Sequence, residues 1–265
     1  KGRSGRSTIL KDKNPGISYS GPLLIILNRY SASAAEILSA ALQDYDRAFV
    51  VGSDSTFGKG TVQTFVDLDQ AFPSRASLFR PLGSIKLTIQ KFYRINGGST
   101  QYKGVIPDLI IDDNFNGVEI GEKYLDHSLP WDTIKKLEYA SWPQKTWTNK
   151  TLIQNSKKRI KEAPEFQEYN KYLASMKQFR DDTKHPLSLI DAIKRKEDID
   201  TQSKKYKAKK NEQLVFKAPL QKVVTGDKKK KEEEWHESLA KDIILSESIL
   251  ILQDMIETES TSQAY

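Results

Sequence analysis

Two positions in this sequence carry reactive groups in settings that a merely solvated side chain does not need. Ser33 lies in NRYSASAAEILSA, residues 28–40, where an apolar run meets a helical pattern, and Lys59 stands between Gly58 and Gly60 in TFGKGT. A serine hydroxyl attacks a carbonyl only when a neighbouring group takes its proton. The three histidines, His127, His185 and His236, fall far along the chain in polar surroundings with no partner at metal-ligand spacing, and read as surface residues. Lys59 is therefore the candidate base. A lysine ordinarily holds its proton to about pH 10.4, so work near neutrality demands roughly 4 kcal/mol, which burial in an apolar pocket can supply. Flanking glycines leave the backbone free to bend and turn such a side chain inward.

The same serine fits a plainer role. Ser33-Ala-Ala-Glu36 has the spacing of a capping box, a serine at the helix N-cap and a glutamate three residues on. Capping and catalysis share one physical basis, because the first amides of a helix lack an internal acceptor; the Ala34 N–H can hold a developing oxyanion as readily as Ser33 can cap. The local pattern leaves both open. A phosphate loop in VVGSDSTFGKGT fails, because five residues separate Gly52 from Gly58 instead of four and Gly60 takes the place of the magnesium-binding Ser or Thr. The residues after it also alternate like a strand, where a phosphate loop opens a helix.

The hydrophobic pattern predicts the elements that must position these groups. PLLIIL, residues 22–27, is a short continuous apolar run, the form of a strand buried on both faces. Ile37, Leu38, Ala41, Leu42 and Tyr45 recur at helical spacing, and RAFVVG supplies a second strand. Strand, helix and strand predict one right-handed crossover of a parallel or mixed sheet. Residues 1–20, around STIL, read as a strand end and an exposed loop. Further on, TVQTFV and SIKLTIQKFYRI alternate as strands around a polar loop with Pro73 and Pro81; NGGST makes a turn and GVIPDLIID closes the α/β part near Asp112. Beyond it glycine becomes rare and Lys, Glu, Gln and Asp dominate. Residues 152–180 and 235–257 read as amphipathic helices, and 201–232 as the flexible segment.

Composition excludes several classes. There is no cysteine among the 265 residues, hence no disulfide, thiolate metal site or cysteine nucleophile. No run approaches the ~20 apolar residues of a membrane span. The formal charge of +7 raises a nucleic-acid partner, but residues 1–112 carry 14 Lys and Arg against 9 Asp and Glu, and the lysine-rich remainder 28 against 26. That near-neutral half, with runs such as DKKKKEEEW, reads as solvated helix or loop rather than a phosphate-binding stripe. The chain starts at Lys1 with neither a methionine nor an apolar signal region, and is expected to be part of a longer protein.

Three blocks in order, NRYSASAAEILSAALQDYDRAFVVG, TFGKGTVQ and IQKFYRINGGSTQYKGVIPD, closely resemble the protease core of the C-terminal processing peptidases, or tail-specific proteases, which are serine endopeptidases with a Ser-Lys dyad. The resemblance covers roughly residues 20–112, and the charged helical remainder resembles the C-terminal extension of the long bacterial members. It implies an α/β core, a mixed sheet with a crossover helix of crotonase or Clp-protease type, over residues 1–112, followed by a mostly α-helical region over 113–265. Carried over by position, Ser33 matches the nucleophile, Lys59 the general base, Gln63 the residue that helps position the lysine, Ala34 an oxyanion amide and Glu36 a cap and support behind them. Asp44 matches an acidic position implicated in some members. It lies too far along the helix, ~16 Å from Ser33 at 1.5 Å per residue, to touch the nucleophile, and is expected to be structural.

GSDSTFGKG carries one residue more than the family's usual loop. The family's PDZ domain and its Asp-Leu-Arg-x-Asn-x-Gly-Gly strand, source of a second oxyanion amide, are not in these residues. The resemblance implies protein or peptide substrates with unstructured, apolar C-terminal tails, no metal or organic cofactor, and a place in the periplasm or cell envelope of a bacterium. It leaves a homo-oligomer or an adaptor protein open. The alternative is a non-catalytic protein-interaction module in which Ser33 only caps a helix and Lys59 is solvated.

Overall fold

The computed structural model describes the chain apart from residues 3, 12, 15, 73–78, 206–226 and 264–265. Pro73 and most of the stretch expected to be flexible lie outside the described residues. Three short strands, β1 (Leu24–Leu27), β2 (Phe49–Gly52) and β5 (Leu109–Ile110), form a parallel sheet in the order β1-β2-β5. Helix α1 (Ala34–Asp44) makes the crossover from β1 to β2, with Leu24 opposite Phe49 and Leu27 opposite Gly52. Strands β3 (Thr61–Asp67) and β4 (Ser84–Lys91) form a separate antiparallel ribbon with a bulge between Val62 and Gln63. A four-residue helix, α2 (Leu68–Ala71), follows β3. STIL forms no strand; among the described residues of 1–20, Gly2 bridges to the ribbon at Gln90.

A parallel sheet needs cover on both faces, because its strands are apolar on both. Successive residues of β2 point to opposite sides and are fully buried. Val50 packs with Leu27, Val105 and Ala40 of α1. Phe49 and Val51, with Leu109 and Ile111, pack on the other side against side chains from beyond residue 112, among them Leu152, Phe166, Ile251 and Met255. The helical region thus closes the second face of the sheet, and one hydrophobic core crosses from residues 1–112 into 113–265.

That region holds α3 (Asn149–Glu162), α4 (Pro164–Asp181), α5 (Leu189–Lys205), α6 (Asp227–Ala240) and α7 (Ile243–Gln263), after a 3-10 turn at Glu122–Tyr124. The periodicity over 152–180 resolves into two helices, since Pro164 lacks the N–H that would carry α3 onward and instead starts α4. The pattern over 235–257 is likewise cut, where Asp242 Oδ1 accepts the N–H groups of Ile244 and Leu245 and starts α7 afresh. Helix α5 has no counterpart among the sequence expectations. Its first turns leave Leu189 and Ile190 exposed, so the burial that marks a periodic stripe is missing. The apolar stripe expected to bury α1 is also turned outward: Ile37 is 46% and Leu38 62% exposed, and the helix buries Glu36, Ser39 and Ala40 instead. Among the described residues no helix is long and apolar enough to cross a membrane.

Helix α3 is tied to α7 by an ion network. The Arg159 guanidinium donates to Glu247 Oε1 at 3.0 and 2.9 Å and to Asp254 Oδ2 at 2.9 Å, and the Glu247 side chain is 2% exposed. Removing the guanidinium strands a buried carboxylate. Arg159→Met is expected to destabilise the protein by about 2–4 kcal/mol in urea unfolding, and Arg159→Met with Glu247→Leu to recover most of that loss.

Candidate active site

Strand β1 ends at the mouth of the sheet, and the chain turns through residues 28–33 before α1 begins. Ser31 N–H donates to Asn28 O at 3.0 Å, and Phe57 N–H donates to Ser31 O at 3.0 Å, which ties this turn to the loop between β2 and β3. Ser33 follows with φ 55° and ψ −111°, a conformation that L residues rarely adopt and that costs about 1–3 kcal/mol. Such a residue persists only where its surroundings fix it. Its N–H donates to Glu36 Oε2 at 2.8 Å, the glutamate half of the Ser33–Glu36 capping box. The Ala34 N–H, first of the helix, has no acceptor among the described residues.

Glu36 is fully buried and has no cation beside it among its hydrogen-bond partners; four donors converge on it instead. Oε2 accepts Ser33 N–H at 2.8 Å and Lys59 N–H at 2.9 Å. Oε1 accepts Gly58 N–H at 2.7 Å and the Thr56 hydroxyl at 2.5 Å. One oxygen atom therefore holds the backbone of the candidate nucleophile and that of the candidate base together. Thr56 Oγ1 accepts Val105 N–H at 2.8 Å in turn, which carries the link into the stretch after β4. Gly58 is needed for its φ of +87°, and Gly60 because a Cβ there would lie 2.3 Å from Gln101 N. These glycines fix the loop by close fit, where the sequence suggested freedom to bend.

Lys59 is half-buried, and its Nζ forms no hydrogen bond or ion pair with Ser33 or any other described residue. Gln63 lies exposed on β3 just past the bulge, opposite Thr88, and makes no hydrogen bond to Lys59. The structure thus brings Ser33, Ala34, Glu36 and Lys59 together through their backbone and leaves Gln63 apart. Asp44 is gripped at the far end of α1, accepting two hydrogen bonds from Arg94 at 2.9 and 2.6 Å and one from Asn96 at 2.9 Å. Burial pushes the Asp108 carboxyl above the usual carboxylate range, against the pull of Val50 N–H and Gln43; burial likewise raises Asp113, against Phe115 N–H. Thr56 and Gln101 carry no mark in the sequence, since a Thr or Gln in a loop gives no sign that it will be buried. Among the described residues no group of three or more His, Asp or Glu is placed to hold a metal ion.

Comparison with known proteins gives two family matches. The profile of Peptidase family S41 matches residues 1–111, and that of the C-terminal domain of tail specific protease matches residues 115–257. The chain is 40% identical over 185 residues to the Tail-specific protease of Haemophilus influenzae, covering 66% of this chain and 25% of that protein. It is 33% identical over 132 residues to the Carboxy-terminal-processing protease of Bartonella bacilliformis, covering 47% of this chain and 28% of that one. Among solved structures, the photosystem II D1 C-terminal processing protease matches at 34% identity and a TM-score of 0.29, over 34% of this chain and 20% of that one. The chain spans about a quarter of the length of these two relatives.

The four-donor arrangement at Glu36 has a direct consequence for stability. Glu36→Gln keeps the shape but turns an NH2 toward N–H donors, and is expected to cost about 2–4 kcal/mol in urea unfolding. Thr56→Val, which loses both the donor to Glu36 and the acceptor for Val105, should cost about 1–3 kcal/mol, whereas Thr56→Ser should stay within about 1 kcal/mol of wild type.

Proposed function

The chain belongs to the tail-specific protease family, the C-terminal processing peptidases, and from that premise we propose that it carries the Ser-Lys centre of a serine endopeptidase. The observation that supports the reading most is the shared Glu36 oxygen, which fixes Ser33 and Lys59 to each other. A helix cap accounts for the bond to Ser33 N–H. It gives no reason for the same atom to receive Lys59 N–H, nor for Ser33 to be held in so unfavourable a conformation.

The Lys59 amine takes the Ser33 hydroxyl proton as Oγ attacks the scissile carbonyl carbon, and the Ala34 N–H donates to the oxygen that becomes negative. The tetrahedral adduct collapses, the C–N bond breaks, and the leaving amine takes the proton from Lys59, which leaves an ester on Ser33. Lys59 then deprotonates a water that attacks the ester; the C–O bond breaks, and the proton returns to Ser33. Nucleophile and base that are not yet hydrogen-bonded without substrate are ordinary for such centres. Gln63, four residues beyond Lys59, completes the set as a positioning group once a peptide lies along β3.

Substrates in this reading are proteins with unstructured, apolar C-terminal tails. Such a tail can add as a strand to the ribbon that leaves directly from Lys59. Of its two outer edges, that of β4 is already engaged near its end, where Lys91 N–H donates to Lys1 O at 3.0 Å and Gly2 bridges to Gln90, so β3 is the edge that fits. The division at 112/113 is one of task, with residues 1–112 carrying the chemistry and 113–265 supporting it. The likeness to bacterial tail-specific and carboxy-terminal-processing proteases supports a place in the periplasm or cell envelope of a bacterium.

The test is cleavage of an unfolded protein with an apolar tail by the full-length protein that carries this chain. Ser33→Ala and Lys59→Ala should each lower kcat/KM by about three orders of magnitude or more, and Gln63→Ala by less. Undiminished cleavage by Ser33→Ala would end the mechanism and leave the serine as a cap.

A further inference from the structure

Two buried side chains hold the backbone on either side of the Lys59 side chain, and the mechanism above uses only one. Glu36 takes the Lys59 N–H; the next amide, Gly60 N–H, donates to Gln101 Oε1 at 2.8 Å. Gln101 is fully buried, and its Nε2 donates to Glu122 Oε1 at 3.1 Å and to Leu129 O at 3.1 Å. With an N–H donor on one side and two acceptors on the other, its amide can sit in one orientation only. Its own N–H donates to Ser99 Oγ at 3.0 Å, and the bare Cα of Gly60 lets its backbone approach. The neighbouring carbonyls are held as well: Gly58 O accepts Tyr102 N–H at 2.8 Å, and Gly60 O accepts Phe92 N–H at 3.0 Å.

Glu122 and Leu129 lie beyond residue 112, in the stretch matched by the C-terminal family profile. Glu122 N–H also donates to Phe57 O at 2.7 Å, two residues before the lysine. This stretch therefore wraps the lysine loop from outside as well as covering the sheet from behind.

We propose that Gln101 is a positioning residue for Lys59, through which Glu122 and Leu129 of the C-terminal region set where the lysine amine stands. The inference rests on the Ser33–Lys59 reading. The direction of the Lys59 Cα–Cβ bond is fixed by the peptide planes before and after it. Glu36 pins the first of these and Gln101 the second, so release of Gln101 lets the second plane turn and carries the amine away from Ser33. A displacement of about 1 Å in a catalytic group costs up to about 100-fold in rate. Because Gln101 touches neither substrate nor reacting atoms, the loss falls on kcat and leaves KM nearly unchanged.

The test is peptide cleavage by the full-length protein, with kcat and KM measured separately at a temperature where circular dichroism finds each variant folded. Gln101→Leu, which keeps the volume and removes every hydrogen bond of the side chain, is expected to lower kcat about 30- to 100-fold with KM within about twofold. Glu122→Ala is expected to lower kcat about tenfold. Glu122→Gln, which retains an acceptor oxygen for Gln101, is expected to regain most of that loss. Wild-type kcat in Gln101→Leu or Glu122→Ala would overturn the inference, as would Glu122→Gln falling as far as Glu122→Ala. If Gln101→Leu does not fold, the Glu122 pair decides. Lys59→Ala in the same assay separates the two levels: its retaining activity would sink the Ser-Lys reading itself, whereas an inactive Lys59→Ala beside a fully active Gln101→Leu would sink only the role of Gln101.

Discussion

A carboxylate without a cation governs this molecule. Glu36 is sealed from water, and a buried charge stays only where its surroundings satisfy it by hydrogen bonds. Three peptide N–H groups and one hydroxyl do so, drawn from the start of α1 and from the loop between β2 and β3. None of those donors is replaceable by a side chain that moves, since three belong to the backbone and the fourth, Thr56, is itself held by Val105 N–H. The requirement to satisfy one side chain thus dictates the path of two separate segments. The unfavourable torsion of Ser33, the left-handed turn at Gly58 and the seat of Lys59 are consequences of that one demand.

The second demand is geometric. A parallel sheet of three short strands is too small to bury itself, and α1 offers it only a narrow, small-residue face with Ser39 and Ala40. The helices beyond residue 148 supply the missing layer by packing on Phe49, Val51, Leu109 and Ile111. The charged region, which composition sets apart from the rest, is therefore continuous with the α/β part where apolar contacts are concerned. Among its described charges, Arg159 pairs within the region with Glu247 and Asp254, and Lys145 reaches across to Asp46.

Sequence is a good guide where one local signal decides. The strands at 24–27, 49–52 and 61–67 and helix α1 follow from apolar runs, alternation and a capping pattern; of the candidates that the motif blocks name, Ser33, Ala34, Glu36, Lys59 and Gln63, the backbone N–H groups of Ser33 and Lys59 meet on Glu36. It is a poor guide where distant segments decide. Ile37 and Leu38 look like core by periodicity, yet the face that α1 buries is chosen by Glu36 and its donors, which come from residues about twenty positions away. GVIPDLIID shortens to a two-residue strand because its pairing with β2 spans only Val51 with Leu109 and Gly52 with Ile110, closed at its ends by Asp108 N–H on Val50 O and Ile111 N–H on Gly52 O. Gln101 and Thr56 have no local mark at all, since their importance lies in what reaches them from elsewhere in the chain.

Helix α1 is fastened at both ends. Glu36 ties its first turn to the lysine loop, and Asp44 ties its last residue to Arg94 and Asn96 in the stretch after β4. Most helices fray from their termini, so their end amides exchange with solvent long before the middle ones. This one has no loose end from which to unravel. Its amides are bound to open together with those of the loops at 56–60 and 94–104, as a single cooperative unit, so that Ser33 and Lys59 lose their places to local unfolding at the same instant or not at all.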